Sequence, residues 1–297
     1  MEYIDIDQIN DAARDPREFI RWSQERYQHK IEEAGAIIAA QAEKGKPLVL
    51  LAGPSGSGKT TTAHRIQQWL SAHGHPSHTL SMDNYYYRRA DGVLPLDDEG
   101  QVDYESPELL DLPLLREHLE KMAEGKPVDM PIFDFAAQKR SDKTIPVLRR
   151  PGEIIVMEGI HALNPQLLGA EESLATGVYI SVRTRIRDEH GRFLRDKSHR
   201  ARPYAETLDK LRSVSRGERL YINPYKALAE VQFDTFIPYE LSVYRNELLL
   251  NLNQVEARLL EDSGAAPLVP ILRQLDPISQ TMVPEDALIQ EFIGDED

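Results

Sequence analysis

Apolar and polar positions alternate along this chain in two different rhythms. Between residues 17 and 44, Phe19, Ile20, Trp22, Ile31, Ala34, Ile37 and Ile38 recur at roughly helical spacing, and Gly45 and Pro47 end the run. Leu48-Val49-Leu50-Leu51-Ala52 is then unbroken apolar sequence, as expected of a strand buried on both faces. A helix is predicted over 59–72, ending near Gly74, and a short strand over 78–83. Residues 88–105 are polar and turn-rich. Ser106-Pro107 and Asp111 with Pro113 read as helix starts; Leu114, Leu115, Leu119 and Met122 supply an apolar face, and Gly125 a stop. Residues 153–157 and 178–182 are two more buried strands. A long helix is predicted around 240–262, followed by a Gly-Ala-Pro break and a tail. Strands alternating with helices predict an α/β fold with a parallel sheet covered on both faces.

Composition narrows the partners. With 49 acidic and 35 basic residues among 297, the net charge is −14, so the whole-molecule field repels nucleic acid and any anionic ligand needs a local basic site. The chain has no cysteine, which removes disulfides, thiolate chemistry and cysteine zinc sites. The N-terminus is acidic and reads as no signal peptide, and no stretch reaches the ~20 apolar residues of a membrane span. A cytoplasmic protein without membrane contact is the expectation.

Gly53-x-x-x-x-Gly58-Lys59-Thr60 fits the phosphate-binding P-loop pattern, and it lies between a buried strand and an amphipathic helix. The glycines let backbone N–H groups converge on phosphates at the positive end of the helix. Lys59 is expected to neutralise the outer phosphates, and the Thr60 hydroxyl to ligate Mg²⁺.

Three features ask where the phosphate goes. Asp83 closes a strand, where ligands of open α/β sheets gather, and could accept a proton from an attacking hydroxyl; a turn cap is the plainer role. Tyr85, Tyr86 and Tyr87 offer flat faces to an aromatic or sugar ligand, with at least one of them expected in the core. Glu158 directly follows the strand at 153–157, where a carboxylate can serve Mg²⁺ or a salt bridge. Arg183, Arg185, Arg187, Arg192, Arg195, Arg200, Arg202, Arg212, Arg216 and Arg219 then cluster in an acidic protein. Most suit a solvated helix face, and two or three near Asp196 suit a lid over a transferring phosphoryl group. His73, His75 and His78 read as a solvated loop, as do Asp97, Asp98 and Glu99.

The segments GPSGSGKTTTA, SMDNYYYRR, VDYESPELLDL, PIFDFAAQKRS, VMEGIHALNP, RSVSRGERLYINPY and PYELSVYR stand in one order, and with them and the tail LRQLDPISQTMVPEDALIQEFIG the chain resembles the uridine kinase and phosphoribulokinase group of P-loop kinases from about residue 30 to 295. The match is nearest to bacterial uridine-kinase-like nucleoside kinases. This resemblance implies a five-stranded parallel sheet of the nucleoside-monophosphate-kinase type with an arginine-rich lid. It implies transfer of the γ-phosphate of ATP or GTP to the 5′-hydroxyl of a uridine- or cytidine-like nucleoside. Asp83 would be the base, working with Lys59 and Arg195. Gly53, Ser55, Gly56, Ser57, Gly58, Lys59, Thr60, Thr61, Arg200 and Arg202 would bind the nucleotide. Tyr86, Tyr104, Glu105 and Phe133 would contact the acceptor, and Thr60 and Glu158 would hold Mg²⁺. Where uridine kinases carry a pyrimidine-reading histidine, this chain has Gln138, whose amide has both donor and acceptor and could still read a base of the acceptor, and its lid is shorter than in most members. Pantothenate, glycerate or a sugar phosphate therefore stays open as acceptor, with Lys139 and Arg140 available for a sugar phosphate. A nucleotide-dependent switch is the remaining alternative, weakened by the lack of an Asn-Lys-x-Asp guanine-reading motif. The expected organisation is a helical extension over 1–46, a kinase domain over 47–237 with its lid about 183–219, and C-terminal helices over 238–297. A homo-oligomer is compatible with the family.

Overall fold

The computed structural model describes residues 2–87, 94–168, 173–188, 193–194, 213–263 and 266–293. Its centre is a five-stranded parallel sheet in the order β10–β7–β2–β6–β3, built from β2 (Leu48–Ala52), β3 (Ser77–Ser81), β6 (Ile154–Glu158), β7 (Ala175–Ser181) and β10 (Val231–Asp234). The period of two that defines a strand divides the apolar side chains between two cores. Val49, Leu51, Ile154 and Val156 face one, while Leu48, Leu50, Ile155 and Met157 face the other.

The first core is covered by α1 (Ile6–Ala13), α2 (Pro16–Glu43), α3 (Lys59–Ala72) and the helix Glu240–Leu252. Helix α2 starts where the sequence predicts: the Asp15 carboxylate accepts from the Glu18 N–H and Pro16 occupies the first turn, where its missing N–H costs nothing. The second core lies under α4 (Leu112–Ala123) and the antiparallel hairpin of β4 (Val128–Asp134) and β5 (Lys139–Val147).

Three features differ from the sequence reading. The predicted helix over 240–262 is two helices, Glu240–Leu252 and Ala257–Ser263, because a turn intervenes while Leu248, Leu252 and Val255 keep helical spacing across it. The hairpin β4–β5 was not foreseen, since β5 is largely exposed and lacks a clean alternation. A small outer sheet joins β1 (Tyr3–Asp5), β8 (Arg185–Arg187) and β9 (Phe193–Leu194), pairing segments more than 180 residues apart. No described helix is long and apolar enough to cross a membrane.

Candidate active site

Strand register gathers the chemistry. Leu51 pairs with Glu158, and Glu158 with Ser81, so β2, β6 and β3 end side by side. The loop 53–58 leaves β2, Asp83 follows β3, and Glu158 is the last residue of β6. These are carboxyl ends of parallel strands, where an open α/β sheet leaves room for a ligand.

The loop runs from Gly53 into α3, whose first residue is Lys59. Gly58 caps the helix at φ 80°, and a β-carbon there would meet Leu288 Cδ1 at 2.6 Å. The Lys59 ammonium donates to the Pro54 carbonyl at 3.1 Å and interacts electrostatically with Glu158, Asp83, Glu291 and Glu105. Burial depresses its pKa and the four carboxylates oppose that shift. The Ser57 hydroxyl oxygen is buried with no hydrogen-bond partner among the described residues. Ser55 and Thr60 are exposed, whereas the Thr61 hydroxyl is already engaged, donating to Glu291 Oε2 at 2.7 Å. A desolvated ammonium, an unmatched buried hydroxyl and a glycine-lined helix N-terminus fit a polyphosphate. The Thr60 hydroxyl and the Glu158 carboxylate are oxygen donors of the kind Mg²⁺ takes.

Asp83 sits in the 3-10 turn Met82–Tyr85, which the Ser81 hydroxyl caps by accepting from the Asp83 N–H at 3.3 Å. Burial pushes the Asp83 carboxyl above the usual carboxylate range and Lys59 pulls it back. Glu158 is 5% exposed; burial raises its pKa, while Lys59 and a hydrogen bond with Ser81 lower it.

Beyond Asp83 opens a cavity of about 440 Å³, whose walls include Tyr86, Tyr87, Tyr104, Glu105, Phe133 and Phe135. Tyr86, Phe133 and Phe135 meet edge to face, with centroids 5.7 Å, 6.4 Å and 5.0 Å apart. Burial first, then the neighbouring Asp103 and Asp83, raises the Glu105 carboxyl to about 7 against the pull of Lys59. Glu105 Oε2 is buried without a partner among the described residues. Tyr85 is the member of the tyrosine run that packs inward, its hydroxyl 2.9 Å from His118 Nδ1.

Gln138 is not brought into this cavity. It adopts φ 53° in the hairpin turn and donates from Nε2 to the Phe135 carbonyl at 2.6 Å. Arg140 is likewise committed, to Asp111 at 3.0 Å and to the carbonyls of Tyr85 and Tyr86. No cationic side chain among the described residues lines the cavity.

Arg195, Arg200 and Arg202 lie outside the described residues, as do Arg192 and Arg212. At the near end of the arginine-rich stretch, Arg187 grips Asp5 through two nitrogens across β8 and β1. At the far end, Arg216 holds Asp103 at 2.7 Å. Sequence reasoning singled out neither Phe135, His161, Asp103 and Tyr221 nor Leu288 and Glu291 of the tail. The FDF run and the histidine three residues past Glu158 are local signals, whereas the likeness of the tail to the end of family members singles out neither Leu288 nor Glu291.

The model of the phosphoribulokinase / uridine kinase family matches residues 48–240. The chain belongs to that family. The family's curated members include a uridine kinase of Lactobacillus johnsonii, 33% identical over 193 residues that make up 65% of this chain and 81% of the relative. A uridine kinase of Deinococcus deserti is 34% identical over 188 residues, covering 63% and 86%. Among solved structures, one described as a possible uridine kinase from Bacillus stearothermophilus superposes with a TM-score of 0.53 at 18% identity. It covers 70% of this chain and 100% of its own, and the likeness shows the shared fold. Residues 1–47 and 241–297, which include the tail packed on the phosphate loop, lie outside the family match.

Proposed function

We propose that this protein is a nucleoside kinase that transfers the γ-phosphate of ATP or GTP to the 5′-hydroxyl of a uridine- or cytidine-like nucleoside. The observation carrying this reading is that Lys59, Asp83 and Glu158 converge at three adjacent strand ends beside an aromatic cavity that holds a buried carboxylate.

The acceptor's base lies against Tyr86, Phe133 and Phe135, with Tyr104 beside them. Glu105 accepts hydrogen bonds from the ribose hydroxyls, which answers why one of its buried oxygens has no protein partner. The 5′-hydroxyl then faces Asp83. As its oxygen bonds to the γ-phosphorus and the bond to the leaving diphosphate oxygen breaks, Asp83 takes the hydroxyl proton. Lys59 and the loop N–H groups hold the phosphates, and Lys59 offsets the charge gathering on the transferred group. Thr60 and Glu158 would hold Mg²⁺, which screens the phosphate charges when bound. Arg195, Arg200 and Arg202 complete the site in this reading as a lid. Such a reaction draws on the cytoplasmic nucleotide pool, and we place the protein there.

A sugar-phosphate acceptor is disfavoured because Arg140, one of the two cations the sequence offers for it, is occupied by Asp111 and two carbonyls, and no cationic side chain among the described residues lines the cavity. The test is phosphorylation by ATP and Mg²⁺ of a panel of ribonucleosides, deoxynucleosides, pantothenate, glycerate and sugar phosphates. Pyrimidine ribonucleosides should dominate. Turnover of a sugar phosphate or of pantothenate, with no turnover of any nucleoside, would refute the assignment.

A further inference from the structure

Asp103 is 1% exposed, yet it carries a carboxylate. A buried charge persists only where donors surround it. Here Arg216 Nη1 donates at 2.7 Å, the Tyr221 hydroxyl at 2.8 Å and the Glu105 backbone N–H at 3.2 Å. Two of these donors come from residues 216–221, and the third is the backbone of the residue whose side chain enters the acceptor cavity.

Glu105 is held from other sides as well. A β-carbon on Gly217 would fall 2.1 Å from Glu105 Cβ, so the backbone of that segment lies directly on the glutamate stem. His161, also 1% exposed and three residues past Glu158, sets its ring edge-on against that of Tyr221 at 6.3 Å, and its Nδ1 has no hydrogen-bond partner among the described residues. Residues 216–221, distant in sequence, therefore close on Glu105 and its neighbour Asp103 together. None of them adds a described side-chain partner to Glu105 Oε2. Backbone and stem are fixed while the carboxyl end is left to a ligand. Arg216 also balances Asp103, which otherwise sets a second negative charge beside Glu105.

We propose that Asp103, Arg216 and Tyr221 are positioning residues that fix Glu105 for the acceptor's vicinal hydroxyls. This rests on the reading of Glu105 as the acceptor's ligand. Held this way, Glu105 meets the acceptor without first losing rotamer and backbone freedom, so the effect falls on acceptor binding rather than on the nucleotide.

The test is steady-state kinetics of the full-length protein with uridine and ATP, for wild type and for Asp103→Asn, Arg216→Met, Arg216→Lys, Tyr221→Phe and Glu105→Gln. Asp103→Asn and Arg216→Met should each raise KM for uridine tenfold or more, with kcat and KM for ATP within threefold. Arg216→Lys, which keeps the charge, should recover most of the loss. An unchanged KM for uridine in a folded Asp103→Asn protein overturns the proposal, as does an equal rise in both KM values. If Asp103→Asn does not fold, Tyr221→Phe decides: loss of that one hydroxyl should raise KM for uridine at least threefold, and no change overturns the proposal. Glu105→Gln separates the two levels. If it raises KM for uridine while Asp103→Asn does not, the positioning role alone falls. If Glu105→Gln has no effect, or wild type does not turn over uridine, the underlying reading falls and this inference with it.

Discussion

Leu288 lies over Gly58 so closely that a β-carbon on the glycine would approach Leu288 Cδ1 to 2.6 Å. The tail that carries Leu288 is outside the family match, yet it forms the outer wall of the phosphate loop. Leu288 is fully buried, so Leu288→Ala should cost about 2–5 kcal/mol of stability and loosen the loop. Gly58→Ala combines that clash with a residue forced to φ 80°, and nucleotide binding should fall below detection. Thermal melting with and without ATP checks both. A Leu288→Ala protein that melts like wild type would deny the tail its packing role.

Glu291 belongs to the same tail and faces the other way in charge. Its carboxylate accepts from Thr61 and interacts with Lys59. A polyphosphate at the loop must approach that negative charge. Glu291→Gln should therefore tighten nucleotide binding several-fold, most visibly at low salt where exposed charges are least screened. Titration calorimetry with ADP and ATP reads this directly; weaker binding would mean that Glu291 helps the nucleotide.

Asp83→Asn keeps the shape of the side chain and removes the proton acceptor. Turnover should drop about 10²–10⁴-fold, the usual share of a positioned base, with nucleotide affinity nearly unchanged. Single-turnover rates alongside equilibrium binding provide the check. Retention of full turnover would favour a nucleotide-dependent switch over a kinase.

The raised pKa of Glu105 sets a direction for pH. Between 4.5 and about 7 the folded protein keeps a proton that the unfolded chain has released. Stability from this group is thus complete below 4.5 and is lost as pH rises through about 7, by on the order of 3 kcal/mol. Acceptor binding moves oppositely, because the ionised carboxylate is the better hydrogen-bond acceptor. Denaturant melts from pH 5 to 8 should show a slope that Glu105→Gln flattens. KM for uridine should fall over the same range in wild type alone.

Much of this was written locally. The unbroken run Leu48–Ala52, the glycine pattern after it and the helix behind Lys59 gave the phosphate loop, because a strand buried on both faces needs no polar alternation. Asp111 with Pro113 marked a helix start, since capping is a matter of three or four neighbouring residues. Tyr86, Tyr104, Glu105 and Phe133 were named from motif positions, and the fold brings them to one cavity. Gln138 was named in the same way and is not among the residues that line the cavity, its amide being tied to the Phe135 carbonyl in the hairpin turn.

The sequence by itself determined the parallel α/β sheet, the phosphate loop and the family, since each rests on periodicity or on contiguous residues. Only the tertiary structure decided that Asp103 binds Arg216, that β1 pairs with β8, and that Leu288 and Glu291 reach the phosphate loop. Those contacts span from 113 to 230 residues of chain, and no local pattern encodes a partner that far away. They form because a buried charge must find donors and an apolar face must find cover, and which partner answers depends on how the whole chain packs.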